Sequence, residues 1–183
     1  MNRFKKFKRE ASALLVIDLQ ERLAAAMRPE PLERLINRAV AAITGARALG
    51  MPIVVTEQYP KGLGPTIKAV KDALGDFTPI EKLEFSAWLP PVQEQLAARP
   101  NVLVLGMETH VCVFQTVRDL AGAGLTPWLA VDGVLSRTAI DHQAGLALAA
   151  SSGAILTTVE TALFDALGRA GGPEFKAVSA AVK

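Results

Sequence analysis

An α/β chain built on a parallel sheet with helices on both faces is the fold class this sequence predicts, and three observations carry it. Compact apolar runs at residues 13–17, 53–56, 102–105, 128–131 and 155–157 are rich in Val, Ile and Leu and do not alternate with polar residues, the pattern of strands buried on both faces. Stretches of helical periodicity separate them, and strands joined through helices run parallel, because the crossover returns the chain to the same edge. The length, 183 residues with 50% hydrophobic and 21% charged, suits one domain able to bury about 70% of its unfolded surface.

The first ten residues carry Arg3, Lys5, Lys6, Lys8 and Arg9 against Glu10 alone. Setting these aside leaves 15 basic against 17 acidic residues, so the formal charge of +2 belongs to a leader and the body is slightly acidic. Residues 1–11 are read as a solvated basic arm and residues 12–183 as the folded domain. The apolar stretch behind the arm stops at Asp18, too short for the apolar region of a signal peptide, and no run approaches the roughly 20 residues of a membrane span. With no basic stripe to track phosphates, neither nucleic acid nor a membrane is expected as partner.

The first strand ends in Asp18. Leu32, Leu35, Ile36, Ala39, Val40 and Ile43 then follow helical spacing, with Pro29 and Pro31 near the start and Gly50 after the end. The second strand runs into Thr56 and Glu57 and opens the most irregular segment, 58–66. A weaker strand is expected at 77–80, followed by Glu81 and Lys82, and a helix at 87–98. After the strand at 102–105 the chain passes through Gly106 to Val111 into a helix at 112–121. The strand at 128–131 is read as ending in Asp132. Helices at 139–151 and 161–167 flank the last strand. In open parallel sheets ligands bind beyond the carboxyl ends of the strands, where strand order reverses. Asp18, Lys82 and Cys112 all leave strands at that edge.

Cys112 is the only cysteine, which excludes an internal disulfide or a Cys-based zinc cage and suits a reducing cytoplasm. Thr109 would cap the following helix and place Cys112 in its first turn, where unpaired amides favour thiolate over thiol. The bland alternative is a small buried hydrophobe. His110 and His142 are poorly placed as its base. Asp18, its pKa raised by desolvation at the sheet edge, is the better one, and Lys82 would hold the pair together. Taken singly, Asp18 reads as a turn carboxylate and Lys82 as a surface lysine. Gly62 and Gly64 lack the third glycine of a dinucleotide loop and are read as loop flexibility, in a lid over the site.

Val16-Ile17-Asp18-Leu19-Gln20, Lys82-x-x-Phe85-Ser86-Ala87-Trp88, Gly106-Met107-Glu108-Thr109-His110-Val111-Cys112-Val113, and Ser136-Arg137 with Asp141, in this order, closely resemble the isochorismatase-like cysteine hydrolases, in particular the isochorismatase domain-containing branch. The resemblance covers nearly all the chain after residue 12. It implies a three-layer Rossmann-like fold with a six-stranded parallel sheet, strands one and four at the switch point, and a catalytic triad of Asp18, Lys82 and Cys112. It also implies a non-proline cis peptide at Met107-Glu108 that turns the Glu108 amide to join that of Cys112 as an oxyanion hole. The nicotinamidase branch carries a metal-binding Asp-x-His cluster after strand two, where this chain has Thr56-Glu57-Gln58-Tyr59-Pro60-Lys61-Gly62. No metal, no cofactor and no nicotinamidase activity are therefore expected.

The expected function is metal-independent hydrolysis of a small amide or related carbonyl compound through a thioester, with Leu19, Tyr59, Phe85 and Trp88 as candidate pocket walls. Each of these four reads equally as core. A vinyl ether hydrolase of the isochorismatase type is one alternative, which would ask for cationic residues facing two carboxylates. A non-catalytic interaction protein on the same fold is another, and a thiol redox sensor a third, although a single cysteine has no internal resolving partner. Self-association into a homo-oligomer is expected from the family and from apolar helical surface at 139–151.

Overall fold

The structure, a computed structural model, describes residues 5–183. Six strands, β1 (Ser12–Ile17), β2 (Ile53–Gln58), β3 (Ile80–Lys82), β4 (Asn101–Met107), β5 (Thr126–Leu135) and β6 (Ile155–Thr157), form one sheet in the order β3-β2-β1-β4-β5-β6. Every pairing between neighbours in it is parallel. The order reverses at β1 and β4, the predicted switch point.

Nine α-helices occur among the described residues: α1 (Glu21–Ala25), α2 (Pro29–Ala48), α3 (Pro60–Leu63), α4 (Lys68–Leu74), α5 (Pro90–Leu96), α6 (Phe114–Gly122), α7 (Ala139–Ser151), α8 (Val159–Leu167) and α9 (Pro173–Ala181). Alternation along the central strands makes two cores. Leu14 and Val16 face α2 and α8 residues such as Ile43 and Leu163, while Ala13, Leu15 and Ile17 face Val92 of α5, Val117 of α6 and Ala149 of α7. All six residues of β1 are buried, which is why the strand reads as an unbroken apolar run.

Several local expectations shift. The third strand lies at 80–82 rather than 77–80, because Phe77 packs against the first core instead of pairing. β5 continues through Asp132 to Leu135 after a register irregularity opposite Val104 and Gly106. Asp132 therefore does not end the strand: its Oδ1 accepts from the Val159 amide at the start of α8, and its Oδ2 lies 3.6 Å from Arg38. Of the basic arm, Arg3 lies outside the described residues. From Phe7 onward the arm is not simply solvated. Phe7 is fully buried against Trp128, with ring centroids 5.3 Å apart, and its amide donates to Asp165. One aromatic ring outweighs the charges around it, since Lys5, Lys6 and Lys8 stay exposed while Phe7 fills the core.

Candidate active site

The two central strands deliver the first and last members of the predicted triad. Ile17 pairs with Gly106 across β1 and β4, so Asp18 and the chain leading to Cys112 emerge side by side. Gly106 makes this approach possible: its φ is +136°, and a Cβ there would sit 2.7 Å from the Ile17 carbonyl carbon and closer still to its oxygen. Asp18 itself has φ of 51°, a left-handed conformation rare outside glycine and typical of positions the surroundings over-determine. The Met107-Glu108 peptide is cis.

After β4 the chain makes one π-helical turn, Thr109–Val113, before α6. Such turns recur at functional sites. This corrects the expected geometry: Cys112 sits within the π turn, and Thr109 caps nothing. The Thr109 hydroxyl is hydrogen-bonded to His142 Nδ1 at 3.0 Å, and His110 Nδ1 to the Ser136 hydroxyl at 3.0 Å, so both histidines are engaged away from the cysteine. Gly145 of α7 closes onto the turn from outside; a Cβ there would lie 2.7 Å from the His110 nitrogen. From within, the Thr116 hydroxyl donates to the Cys112 carbonyl at 2.6 Å and accepts from the Ala87 amide at 2.8 Å, linking the cysteine turn to the loop after Lys82.

The structure brings Asp18, Lys82 and Cys112 together, with residue exposures of 0%, 3% and 6%. Lys82 Nζ lies 2.7 Å from Asp18 Oδ2, and Thr56 donates to Asp18 Oδ1 at 2.8 Å. Burial pushes the Asp18 carboxyl above its ordinary range, against the pull of Lys82 and Thr56. The Cys112 thiol lies close enough to couple to both charges. Burial, and then the Asp18 carboxylate, push it up to about 12, with Lys82 pulling the other way. Burial and the neighbouring carboxylate thus favour the thiol, opposite to the thiolate-favouring environment expected of a helix start.

The candidate pocket residues divide. Leu19 is 1% exposed and packs in the first core. Trp88 is half-buried against the second core. Tyr59 and Phe85 stand 51% and 53% exposed, and Leu83, two residues before Phe85, 72%. Segment 58–66 is pinned rather than loose. Thr66 donates twice to Glu57, from its amide at 2.7 Å and its hydroxyl at 2.6 Å, and Gln20 Nε2 donates to the Gly64 carbonyl at 2.7 Å. Glu108 Oε1 accepts from the Arg137 amide and Nε, tying the turn to the exit of β5.

Sequence reasoning assigned no role to Thr56, Gln58, Gln20 or Thr116. Their positions at a strand end, or one helical turn after the cysteine, are the only signal for them. A separate cavity of about 810 Å³ lies along the same edge, lined by Arg28, Arg34, Arg38, Asp132, Ser136 and His142 among others, and includes none of the triad. No helix among the described residues is long and apolar enough to cross a membrane.

Comparison with known proteins agrees with this architecture. A family model described as the isochorismatase domain matches residues 12–161. Isochorismatase domain-containing protein 2 of Bos taurus is 38% identical over 176 residues, spanning 94% of this chain and 83% of its own length. A secreted isochorismatase effector of Phytophthora sojae is 35% identical over 180 residues, spanning 94% and 85%. The solved structure of the MAR1 ribonuclease from Caenorhabditis elegans superposes with a TM-score of 0.92 at 38% identity, covering 97% of this chain and 92% of that one. With the predicted sheet order present and the family model spanning most of its length, the chain belongs to the isochorismatase-like hydrolase family.

Proposed function

We propose that the protein is a metal-independent cysteine hydrolase acting on a small amide or related carbonyl compound through a thioester. The observation that carries this reading is the burial of Asp18, Lys82 and Cys112 in one cluster, with the ammonium 2.7 Å from the carboxylate. A structural role gives no reason to pay the desolvation of two charges beside a thiol. Asp18 takes the proton from Cys112 as Sγ attacks the carbonyl carbon, and Lys82 holds the developing negative charge. The amides of Glu108 and Cys112 are the proposed oxyanion donors. Asp18 then protonates the leaving amine as the C–N bond breaks. Water, deprotonated by Asp18, attacks the thioester, the acid departs, and the proton returns from Asp18 to the sulfur. Exposed Tyr59, Leu83 and Phe85, on the segments that hold Lys82, would favour an apolar substituent on the substrate.

The test is hydrolysis of a panel of small amides by the wild type and Cys112→Ala. Turnover by the wild type and none by the variant supports the mechanism; equal turnover by both overturns it. A vinyl ether hydrolase would need cations facing substrate carboxylates, and the arginines of the neighbouring cavity lie off the triad.

A ribonuclease is the second reading, favoured by the description of the Caenorhabditis elegans protein and by Arg28, Arg34 and Arg38 along the same edge. Arg34 is paired with Glu30, however, and Arg38 lies near Asp132. Incubation with single-stranded RNA decides: cleavage lost in Cys112→Ala, with the amides untouched, replaces the first reading by the second. Self-association through α7, where Ile140 and Leu148 are 75% and 46% exposed, and a cytoplasmic setting belong to the same proposal.

A further inference from the structure

Lys82 is among the most enclosed charges among the described residues, and its ammonium lies near four oxygens, donating hydrogen bonds to three and pairing with the carboxylate of the fourth. Asp18 Oδ2 and Gln58 Oε1 both lie at 2.7 Å, the Phe85 carbonyl at 3.0 Å and the Glu84 carbonyl at 3.2 Å. The two short contacts come from the ends of β1 and β2. Asp18 is a triad member; Gln58 has no assigned role, yet its carboxamide is as close to the ammonium as the carboxylate is.

The orientation of that carboxamide is over-determined. Gln58 Nε2 donates to the Leu83 carbonyl at 2.8 Å, which requires Oε1 to face Lys82. The Gln58 amide donates to Gln20 Oε1 at 2.7 Å, and the Gln58 carbonyl accepts from Gln20 Nε2 at 3.0 Å. Gln20 is fully buried and also grips Gly64, so one pair of glutamines joins the exit of β1, the end of β2 and segment 58–66. We propose that Gln58 is a positioning residue of the triad, its neutral oxygen fixing the Lys82 ammonium against Asp18 and Cys112.

A neutral acceptor is the chemistry this position calls for. A buried ammonium needs its protons bonded, and a second carboxylate would do that at the expense of Asp18. An amide oxygen satisfies a proton without adding charge, leaving the positive charge available to the carboxylate and to the sulfur as it ionises. Without that oxygen, the ammonium is held by Asp18 and two longer backbone contacts, and its stabilisation of the thiolate weakens.

The kinetic consequence rests on the hydrolase reading above; the effect on the thiol does not. Because Cys112 is the only cysteine, iodoacetamide labelling reports its thiolate directly, with no substrate. Gln58→Met keeps the length and removes the acceptor, while Gln58→Asn keeps the polarity but falls one methylene short. Both variants are expected to label about tenfold more slowly than wild type across pH 7.5–9.5, a hydrogen bond to a charged group being worth about that factor or more. Any amide kcat/KM should fall about 10–100-fold through kcat, with KM within about twofold. In a Lys82→Met background, adding Gln58→Met should change labelling by less than about twofold, since its effect passes through the lysine.

A labelling profile of either folded Gln58 variant that overlays wild type overturns the inference, as does an equal slowing in the Lys82→Met background. Should Gln58→Met fail to fold by circular dichroism, Gln58→Asn carries the same test. If the wild type hydrolyses no amide, the hydrolase reading fails while the labelling still decides the role of Gln58.

Discussion

Replacing Gly106 by alanine is expected to damage the fold and the chemistry at once, and the size of the effect follows from the sheet. The new Cβ would lie 2.7 Å from the Ile17 carbonyl carbon and 2.9 Å from its Cα. Carbon atoms in ordinary contact sit about 3.5–4.0 Å apart, so β1 and β4 must part by roughly 1 Å at their carboxyl ends. Overpacking of this kind costs about 1–3 kcal/mol, and holding alanine at a φ that suits only glycine costs about 1–3 kcal/mol more. The sum, about 2–6 kcal/mol, is a large part of the stability of an ordinary domain. At roughly 2–4 °C per kcal/mol for a chain of this size, the melting temperature should fall by about 4–24 °C. The same displacement separates Asp18 from Cys112, and about 1 Å at a reacting centre can cost about a hundredfold in rate. Thermal unfolding followed by circular dichroism, beside amide hydrolysis at a temperature where the variant is folded, measures both. A variant that melts within about 2 °C of wild type and turns over at its rate would refute the close-approach argument.

Lys82→Met leaves the Asp18 carboxylate buried with the Thr56 hydroxyl and the Cys112 thiol as its remaining partners. Removing one member of a buried pair costs about 3–5 kcal/mol, and guanidinium unfolding should show the loss at pH 8. Because the folded-state pKa of Asp18 then rises further, its contribution to stability is fully present below the unfolded pKa and is lost as pH climbs through the raised value; the deficit should shrink at pH 5. Cys112, raised from 9.0 to about 12, likewise favours the folded state below pH 9 and ceases to as pH approaches 12, so alkaline unfolding should begin earlier in wild type than in Cys112→Ala. At pH 8 iodoacetamide should label the native protein about two to three orders of magnitude more slowly than the unfolded chain. Gly145→Ala drives a methyl group into the backbone of Thr109 and His110, and is expected to lower turnover more than about tenfold, read as kcat by steady-state kinetics at matched folded fraction.

The fold was legible in the sequence where burial on both faces leaves an unbroken apolar run. The strand at 155–157 and the helix at 139–151 match their predicted bounds, and the four longer strands differ only in length. Legibility failed where tertiary contacts decide. Helices α1 and α3, of five and four residues, are too short to show a period, and α4 and α9 were missed as well. The end of β5 was misplaced because Asp132 reads as a turn acid, whereas it is spent on Val159 and Arg38, elements distant in sequence. Phe7 was hidden among lysines, and nothing local distinguishes a ring that will find Trp128 from one that stays in water.

The three residues proposed to carry the chemistry were legible for a different reason: each follows or ends a strand of a parallel sheet, and topology then brings them to one edge. What topology does not convey is electrostatics. A cysteine at the start of a helix suggests a stabilised thiolate, yet here burial and the neighbouring carboxylate outweigh the pull of Lys82. This reversal fits the proposed mechanism better than the thiolate would. A permanent thiolate beside Asp18 would place two negative charges against one ammonium in a site with almost no solvent. A thiol beside a carboxylate whose own affinity for protons is raised lets a single proton pass between them as the sulfur attacks, and Lys82, fixed by Gln58, faces one negative charge before the transfer and one after it. The isolated cysteine gains a second advantage from the same arrangement. With 6% exposure and a pKa raised by burial it would offer little to oxidants, which in the proposed mechanism protects the sulfur that attacks the substrate.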